Sequence, residues 1–327
     1  MSDDPAELPV DTATRVFAVH RELLFSVVYS MTGSVSDTED VLQDTWLVWV
    51  DSEGGEDGGV RDGSDLCGRL LRIAVGRALA RQTGISRRRA AYVGPWLPEP
   101  LVTGPGPDVP AAAPADTDGS AWPGMRSESA PMALMVVLET LPALERAVFV
   151  LNEVFGYPYA EIGQILGRHP GTVRQLAHRA REHVRARRPH YPADPQVQQR
   201  LTERFIAAAM AGDLAALLEL LAPDVTMWTD GGGKVRSALR PVAGRERVAR
   251  SLSGYAASHS PRGLDVHYRH VNGDPSAVVF DGDSPYAVLV MDLDAPGDQV
   301  TGIYLVTNPD KLSRVVPPPS QDTDQGR

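Results

Sequence analysis

Apolar residues recur at helical spacing near the start of the chain, where Val16, Val19, Leu23 and Val27 form one stripe. Two helices are therefore expected over residues 12 to 50, with Gly33 and Ser34 as the break between them. An acidic, glycine-rich loop follows at 51 to 65. Residues 66 to 81 read as a basic amphipathic helix, after which comes the triplet Arg87, Arg88 and Arg89. The stretch from 92 to 130 is rich in Pro, Gly and Ala with few periodic apolar positions, the pattern of an interdomain linker. Helical periodicity resumes from 130 to 187, and Pro189, Pro192 and Pro195 mark a second boundary. Beyond it the pattern changes in kind. Helical stretches at 196 to 221 and 244 to 257 mix with β-branched or alternating runs at 224 to 229, 264 to 271, 276 to 281, 285 to 293 and 299 to 307, which predicts an α+β domain. The tail from 317 to 327 is polar after its prolines and is expected to be disordered.

A chain of 327 residues has room for about two or three compact units. Hydrophobic residues make up 43% and charged residues 23%, as in ordinary globular proteins. The single cysteine, Cys67, cannot form an internal disulfide, which fits a reducing compartment. No signal-peptide pattern opens the chain, and no apolar run approaches the roughly 18 to 20 residues that span a bilayer. A cytoplasmic protein without a membrane partner is expected.

The net charge of −10 is distributed unevenly. Residues 1 to 65 carry three basic and fifteen acidic side chains, whereas 66 to 100 carry seven basic and one acidic. A second basic island, with eight basic and five acidic residues, spans 131 to 192. Local fields of this kind attract a phosphate backbone whatever the total charge.

The second island contains the most informative pattern. Ala160, Ile162, Ile165 and Leu166 supply the buried side of one helix, Gly167 allows a turn, and Pro170 suits the first turn of the next helix. On that next helix Val173, Leu176, Ala177, Ala180 and Val184 form a single apolar stripe. The remaining surface carries Arg174, Gln175, His178, Arg181 and Arg185, with Arg179 flanking. Guanidinium and carboxamide groups read base edges in a major groove while neighbours hold phosphates. From the residues alone, a DNA-reading helix and a solvated basic face on a bundle helix both stand. His169, at the cap position, is a poor N-cap.

The string GSVSDTEDVLQDTW at 33 to 46 closely resembles the second-region helix of bacterial sigma factors of the extracytoplasmic-function group. The resemblance implies that Glu39, Asp40, Gln43 and Trp46 dock on core RNA polymerase; read alone, the same helix is an acidic solvated one. LPALERAVFVLNEVFGYPYAEI at 141 to 162 resembles the fourth region of these factors. By that likeness the helix-turn-helix reads the minus-thirty-five promoter element, and Arg69, Arg72, Arg77 and Arg81 face the minus-ten element. The sequence departs from the family at Ala80 and in its long acidic loop. YVGPWLPEPL at 92 to 101, DGGGKV at 230 to 235 and NPDKL at 308 to 312 look like the marks of the sigma subgroup that carries a C-terminal SnoaL-like domain.

The resemblance thus implies two all-α sigma domains, at 12 to 90 and 131 to 188, joined by a linker at 91 to 130. An α+β SnoaL-like cone at 196 to 316 follows them. It implies promoter DNA and core polymerase as partners and no separate anti-sigma protein, control being supplied in cis. Related cones enclose pockets, and Trp228, Asp230, His267 and Tyr304 are the pocket candidates, a small ligand being one conceivable occupant. No convincing catalytic set, metal site or cofactor motif is found: His267 and His270, three apart on a strand, point to opposite faces. The competing reading is a polymerase-independent helix-turn-helix regulator with a ligand-sensing or isomerase-like C-terminal domain.

The chain's only two lysines, Lys234 and Lys311, fall inside the two distal motifs. An interdomain latch is therefore expected, in which the motif residues Asp230, Lys234, Asn308, Asp310 and Lys311 receive the linker. Trp96 and Leu97 would be its apolar anchors and Glu99 its charged partner.

Overall fold

The computed structural model describes residues 9–53, 63–105, 130–187, 194–258, 263–294 and 296–317. Most of the acidic loop, the linker beyond 105 and the expected disordered tail from 318 lie outside the described residues. The chain divides into two compact units. The first holds the described residues up to 91, together with 130 and 134–187; the second holds 92–105, 131–133 and 194–317.

In the first unit, α1 (Pro9–Thr32), α2 (Val35–Glu53) and α3 (Gly63–Ala90) pack on one another. The break falls at Gly33, whose φ of 63° is a left-handed conformation that glycine adopts at no steric cost. Ser34 Oγ then accepts from the Asp37 amide at 3.2 Å and caps α2. The buried stripe of α1 is Ala13, Phe17, Leu24, Val27, Val28 and Met31, while Val19 is 75% exposed. The helix is thus rotated by about one residue from the expected stripe, which puts the larger Phe17 into the core. Val41, Leu42 and Trp49 of α2 and Leu70, Leu71, Ala74, Val75 and Ala78 of α3 are also buried. Helix α3 does not stop near residue 81; it continues through the arginine triplet to Ala90.

This unit also holds α4 (Met132–Leu138) from residue 134 onward, α5 (Ala143–Phe149), α6 (Tyr159–Leu166) and α7 (Pro170–Ala186), with a π-helical turn at Val150–Val154 after α5. The five stripe residues of α7 are all buried. Gly167 ends α6 with a φ of 62°. A Cβ on Gly163 would lie 2.7 Å from the Arg168 carbonyl, so the turn between α6 and α7 closes onto a bare glycine.

The second unit begins with β1 (Val102–Pro105), a strand contributed by the segment read as linker. Its helices are α8 (Pro195–Ala211), α9 (Leu214–Leu220), α10 (Arg245–Ser258) and α11 (Pro309–Leu312). The single helix expected at 196 to 221 is two, because Gly212 is left-handed at φ 67° and Asp213 caps the second. The other strands are β2 (Leu221–Asp230), β3 (Val242–Ala243), β4 (Leu264–Val271), β5 (Asp274–Asp281), β6 (Ser284–Leu293) and β7 (Val300–Val306). They form one sheet in the order β1-β4-β5-β6-β7-β2-β3, in which only the β2–β7 pairing is parallel. Phe205, Leu217, Leu221, Val225, Val248, Ile303 and their neighbours form the core beneath it.

The expectation of a closed cone is overturned: β1 and β3 end the sheet and do not pair with each other. Closure needs the two edge strands to meet along a continuous ladder. Here β3 offers only two residues, and the far edge is taken by the four-residue β1, whose register shifts between Thr103 and Pro105. The domain is α+β with an open sheet.

Gly163→Ala is expected to destabilise the helical unit by about 1–3 kcal/mol, because the carbonyl it would strike is backbone and cannot swing away. Thermal unfolding followed by circular dichroism checks this; an unchanged midpoint would show that the turn can open.

Candidate functional site

The helix-turn-helix is held from inside by the α7 stripe and from its start by His169. That residue does cap the helix: its Nδ1 accepts from the Gly171 amide at 3.1 Å, while Pro170 contributes no donor. Arg174, Gln175, His178, Arg179 and Arg185 lie exposed on the opposite side. Arg181 differs. It is half-buried, donates to the Tyr159 hydroxyl at 2.6 Å and lies 3.5 Å from Glu153, so it ties α7 to the preceding elements. Burial pushes the Glu153 carboxyl up, and Arg181 and Arg185 pull it back. Glu182 approaches His178 at 3.4 Å and Glu145 approaches Arg179 at 3.7 Å, both pairs open to solvent on one side at least.

On α2, Val41, Leu42, Thr45 and Trp49 face inward, which leaves Asp40 and Gln43 exposed and Glu39 and Trp46 half-buried. Glu39 accepts two hydrogen bonds from Arg21, at 2.7 and 2.9 Å. Asp40 and Asp44 both accept from Arg81 of α3, at 2.9 and 2.8 Å. The acidic face and one of the four candidate DNA arginines therefore neutralise each other. These carboxylates, Asp44 first, raise the Arg81 pKa above its ordinary value. Such exposed pairs are worth at most about 1 kcal/mol and exchange readily for another partner. Arg72 and Arg77 project into solvent, and Arg69 lies over the Trp49 ring at 5.3 Å.

In the second unit the segment from Tyr92 onward is part of the domain. The Asp230 carboxylate, fully buried at the end of β2, accepts four hydrogen bonds: from Tyr92 Oη at 2.6 Å, the Leu97 amide at 2.8 Å, Lys311 Nζ at 2.8 Å and the Gly232 amide at 3.1 Å. Lys311 Nζ also donates to the Leu97 carbonyl and stands 3.9 Å from the Trp96 ring centroid, a cation–π contact out of water. Asn308 donates to Tyr92 Oη at 2.7 Å. Burial, then the hydrogen bond to Asp230, raises the Tyr92 phenol well above its usual range. Leu97 is fully buried. The glycine triplet leaves room for this packing: a Cβ at Gly232 would strike Asn308 at 2.3 Å, and one at Gly233 would meet Val93 at 3.1 Å.

The structure thus brings Trp96, Leu97, Asp230, Asn308 and Lys311 together. Asp310 lies 2.6 Å from Lys234 on the exposed rim, and Asp230 lies 2.8 Å from Lys311. Sequence reasoning placed Tyr92 at the head of the YVGPWLPEPL string but left it out of the latch. It also missed Asn272, whose side chain accepts from the Leu101 amide at 3.2 Å and whose amide donates to the Leu101 carbonyl at 2.9 Å. The Asn272-Gly273 dipeptide, with φ of 54° and 86°, was a readable hairpin signal for that position.

Of the pocket candidates, Trp228 and Tyr304 stack on each other at 5.0 Å, Asp230 belongs to the linker node, and His267 meets Phe280 edge-on. Among the described residues no group of three His, Cys, Asp or Glu side chains is placed to hold a metal ion. No described helix is long and apolar enough to cross a membrane. Desolvation, reinforced by the charge of Asp292, pushes Asp274 up to about 7, and the Met132 amide opposes the rise.

Lys311→Met leaves Asp230 buried without its cation and is expected to cost roughly 3–5 kcal/mol, read as a lower unfolding midpoint and as protease cleavage within 92–101. For Asp274, the unfolded carboxyl titrates near its ordinary value of about 4, below the folded one. Its contribution to stability is therefore full below about pH 4 and lost as pH rises through about 7. Asp274→Asn should flatten the fall in melting temperature between pH 5 and pH 8, and an unaltered slope would refute the assignment.

Comparison with known proteins agrees with this geometry. Residues 132–184 match the family described as Sigma-70, region 4, and residues 202–302 match the SnoaL-like domain. The ECF RNA polymerase sigma factor SigJ of Mycobacterium tuberculosis strain H37Rv is 33% identical over 304 residues, covering 91% of this chain and 92% of that protein. The probable ECF sigma factor SigI of the same organism is 28% identical over 304 residues, covering 92% and 95%. The crystal structure of M. tuberculosis SigJ superposes with a TM-score of 0.66 at 31% identity, over 92% of this chain and 98% of that one. The chain belongs to the extracytoplasmic-function RNA polymerase sigma factors, as a sigma-factor region fused to a C-terminal SnoaL-like domain.

Proposed function

We propose that the protein directs core RNA polymerase to promoters through three surfaces. The α2 face with Glu39, Asp40, Gln43 and Trp46 meets the polymerase. Arg69, Arg72, Arg77 and Arg81 of α3 meet the minus-ten region, and the exposed residues of α7 read the minus-thirty-five region. Arg181, fastened to Tyr159 and Glu153, acts there by holding α7 in place as much as by touching DNA.

The observation that carries this reading is the division of α7. One face is an unbroken apolar stripe buried in the unit, and the other presents arginine, glutamine and histidine to solvent within the segment matched by sigma region 4. The SnoaL-like domain controls activity in cis. Support comes from the seating of residues 92–105 in that domain, through Asp230, Lys311 and β1, which restrains one end of the segment between the two candidate DNA-binding regions. No covalent chemistry and no separate anti-sigma protein are required.

Promoter-dependent transcription with purified core polymerase tests the reading, and failure to bind core polymerase would favour a polymerase-independent regulator. Arg174→Ala or Gln175→Ala is expected to lose about 1–3 kcal/mol of discrimination at one minus-thirty-five base. Arg185→Ala should instead weaken all sequences alike and shallow the salt dependence. Anisotropy on matched and mismatched duplexes distinguishes the two effects.

A further inference from the structure

The second unit carries a third basic run, outside both sigma regions. Residues 193–327 hold thirteen basic and seventeen acidic side chains, and six of the basic ones but only one acidic fall within 234–250. That stretch is therefore positive while the rest of the span is acidic. Lys234 is taken by Asp310, and Arg250 faces Glu246 at 3.4 Å. Arg236, Arg240 and Arg247 are exposed and pair with no carboxylate among the described residues. Arg245, half-buried at the start of α10, keeps its Nε out of solvent without a hydrogen-bond partner.

These side chains share one edge of the sheet. Thr229 of β2 accepts from the Ala238 amide at 3.1 Å and donates to the Ala238 carbonyl at 3.3 Å. Val242 and Ala243 then pair with Met227 and Thr226, and the Gly244 amide donates to the Val225 carbonyl at 2.8 Å, directly before α10 begins. Residues 238–244 thus run beside β2 at the outer edge of the sheet, fixed along their length, so little ordering cost remains when a partner arrives. Charged side chains and proline on an edge strand guard against strand addition, and Arg240 with Pro241 suffices for that. Arg236 precedes the bonded stretch and Arg247 follows it, so edge guarding explains neither. Unpaired guanidiniums spread over a turn, an edge and a helix start offer no single element to insert into a groove, but they suit the regularly spaced charges of a phosphate backbone.

We propose that Arg236, Arg240, Arg245 and Arg247 form a rim by which the SnoaL-like domain itself grips duplex DNA through its phosphates, without reading sequence. This role rests on the reading that the chain meets promoter DNA, and it adds a third contact to the two candidate recognition regions.

The test follows the full chain by anisotropy on a labelled duplex of arbitrary sequence across a salt series. Arg236→Gln, Arg240→Gln and Arg247→Gln together are expected to weaken binding about tenfold or more at low salt. They should also make the slope of log affinity against log salt shallower by roughly two to three, at about 0.9 per phosphate. The same three positions changed to lysine keep the charge and should keep the parent's slope. Arg247→Gln alone, expected to change the slope by about 0.9, decides the matter if the triple variant loses thermal stability. Contact is read directly in a Cys67→Ser background: Leu239 is 67% exposed within the rim, and a photo-crosslinker on Leu239→Cys should capture the duplex. One on Asp283→Cys, at the exposed acidic turn between β5 and β6, should not. The parent's slope in the glutamine variants, a lysine variant as shallow as the glutamine one, or capture at 239 no better than at 283 overturns the rim. Arg185→Ala on the same duplex separates the two readings. If it matches the parent while the glutamine variant weakens, the α7 contact fails and the rim stands; a parent that does not bind the duplex overturns both.

Discussion

A carboxylate taken out of water must have its oxygens filled by donors, and Asp230 meets that requirement with four groups drawn from three parts of the chain. Tyr92 and Leu97 come from the segment before the domain, Gly232 from the adjacent turn, and Lys311 from the terminal helix. The cost of leaving any one unmade is greater than the modest gain of making it. Residues 92–101 therefore cannot leave the SnoaL-like domain piecemeal. The β1 strand and the paired Asn272 bonds extend the same attachment along the sheet edge, which turns a proline-rich linker into part of a folded domain.

The helical unit solves the same electrostatic problem differently. Its buried ions, Arg89 and Arg146 at Glu139, lie between segments distant in sequence, and two cations share one anion there. Its surface ions, Arg81 with Asp40 and Asp44, are solvated and weakly bound. Buried pairing joins helices that lie far apart in the chain, while solvated pairing leaves the candidate recognition side chains exchangeable.

Much of this was legible in the residues. The α7 stripe followed from a strict helical repeat with no competing apolar position, and the strand runs of the second unit followed from β-branched content. The α1 stripe was misplaced by about one residue because apolar residues occur on neighbouring faces, and only packing chose Phe17 over Val19. The cone was expected from family likeness. Whether a sheet closes depends on its edges, and the edge strands here are a four-residue piece of linker and a two-residue bridge that carry almost no periodic signal. The two ammonium groups meet Asp310 and Asp230, carboxylates that only the fold brings beside them.

Local pattern determined the helices, the helix-turn-helix, the two basic islands and the membership of the three short motifs in one family, because each depends on residues near one another in the chain. Tertiary structure alone decided that Asp230 is the centre of the linker site, that Arg89 and Arg146 converge on Glu139, that Arg81 is held by the acidic face of α2, and that the sheet stays open. Those outcomes turn on which charges and which strand edges meet across 37 to 216 residues of chain, and no local periodicity encodes a partner at that distance.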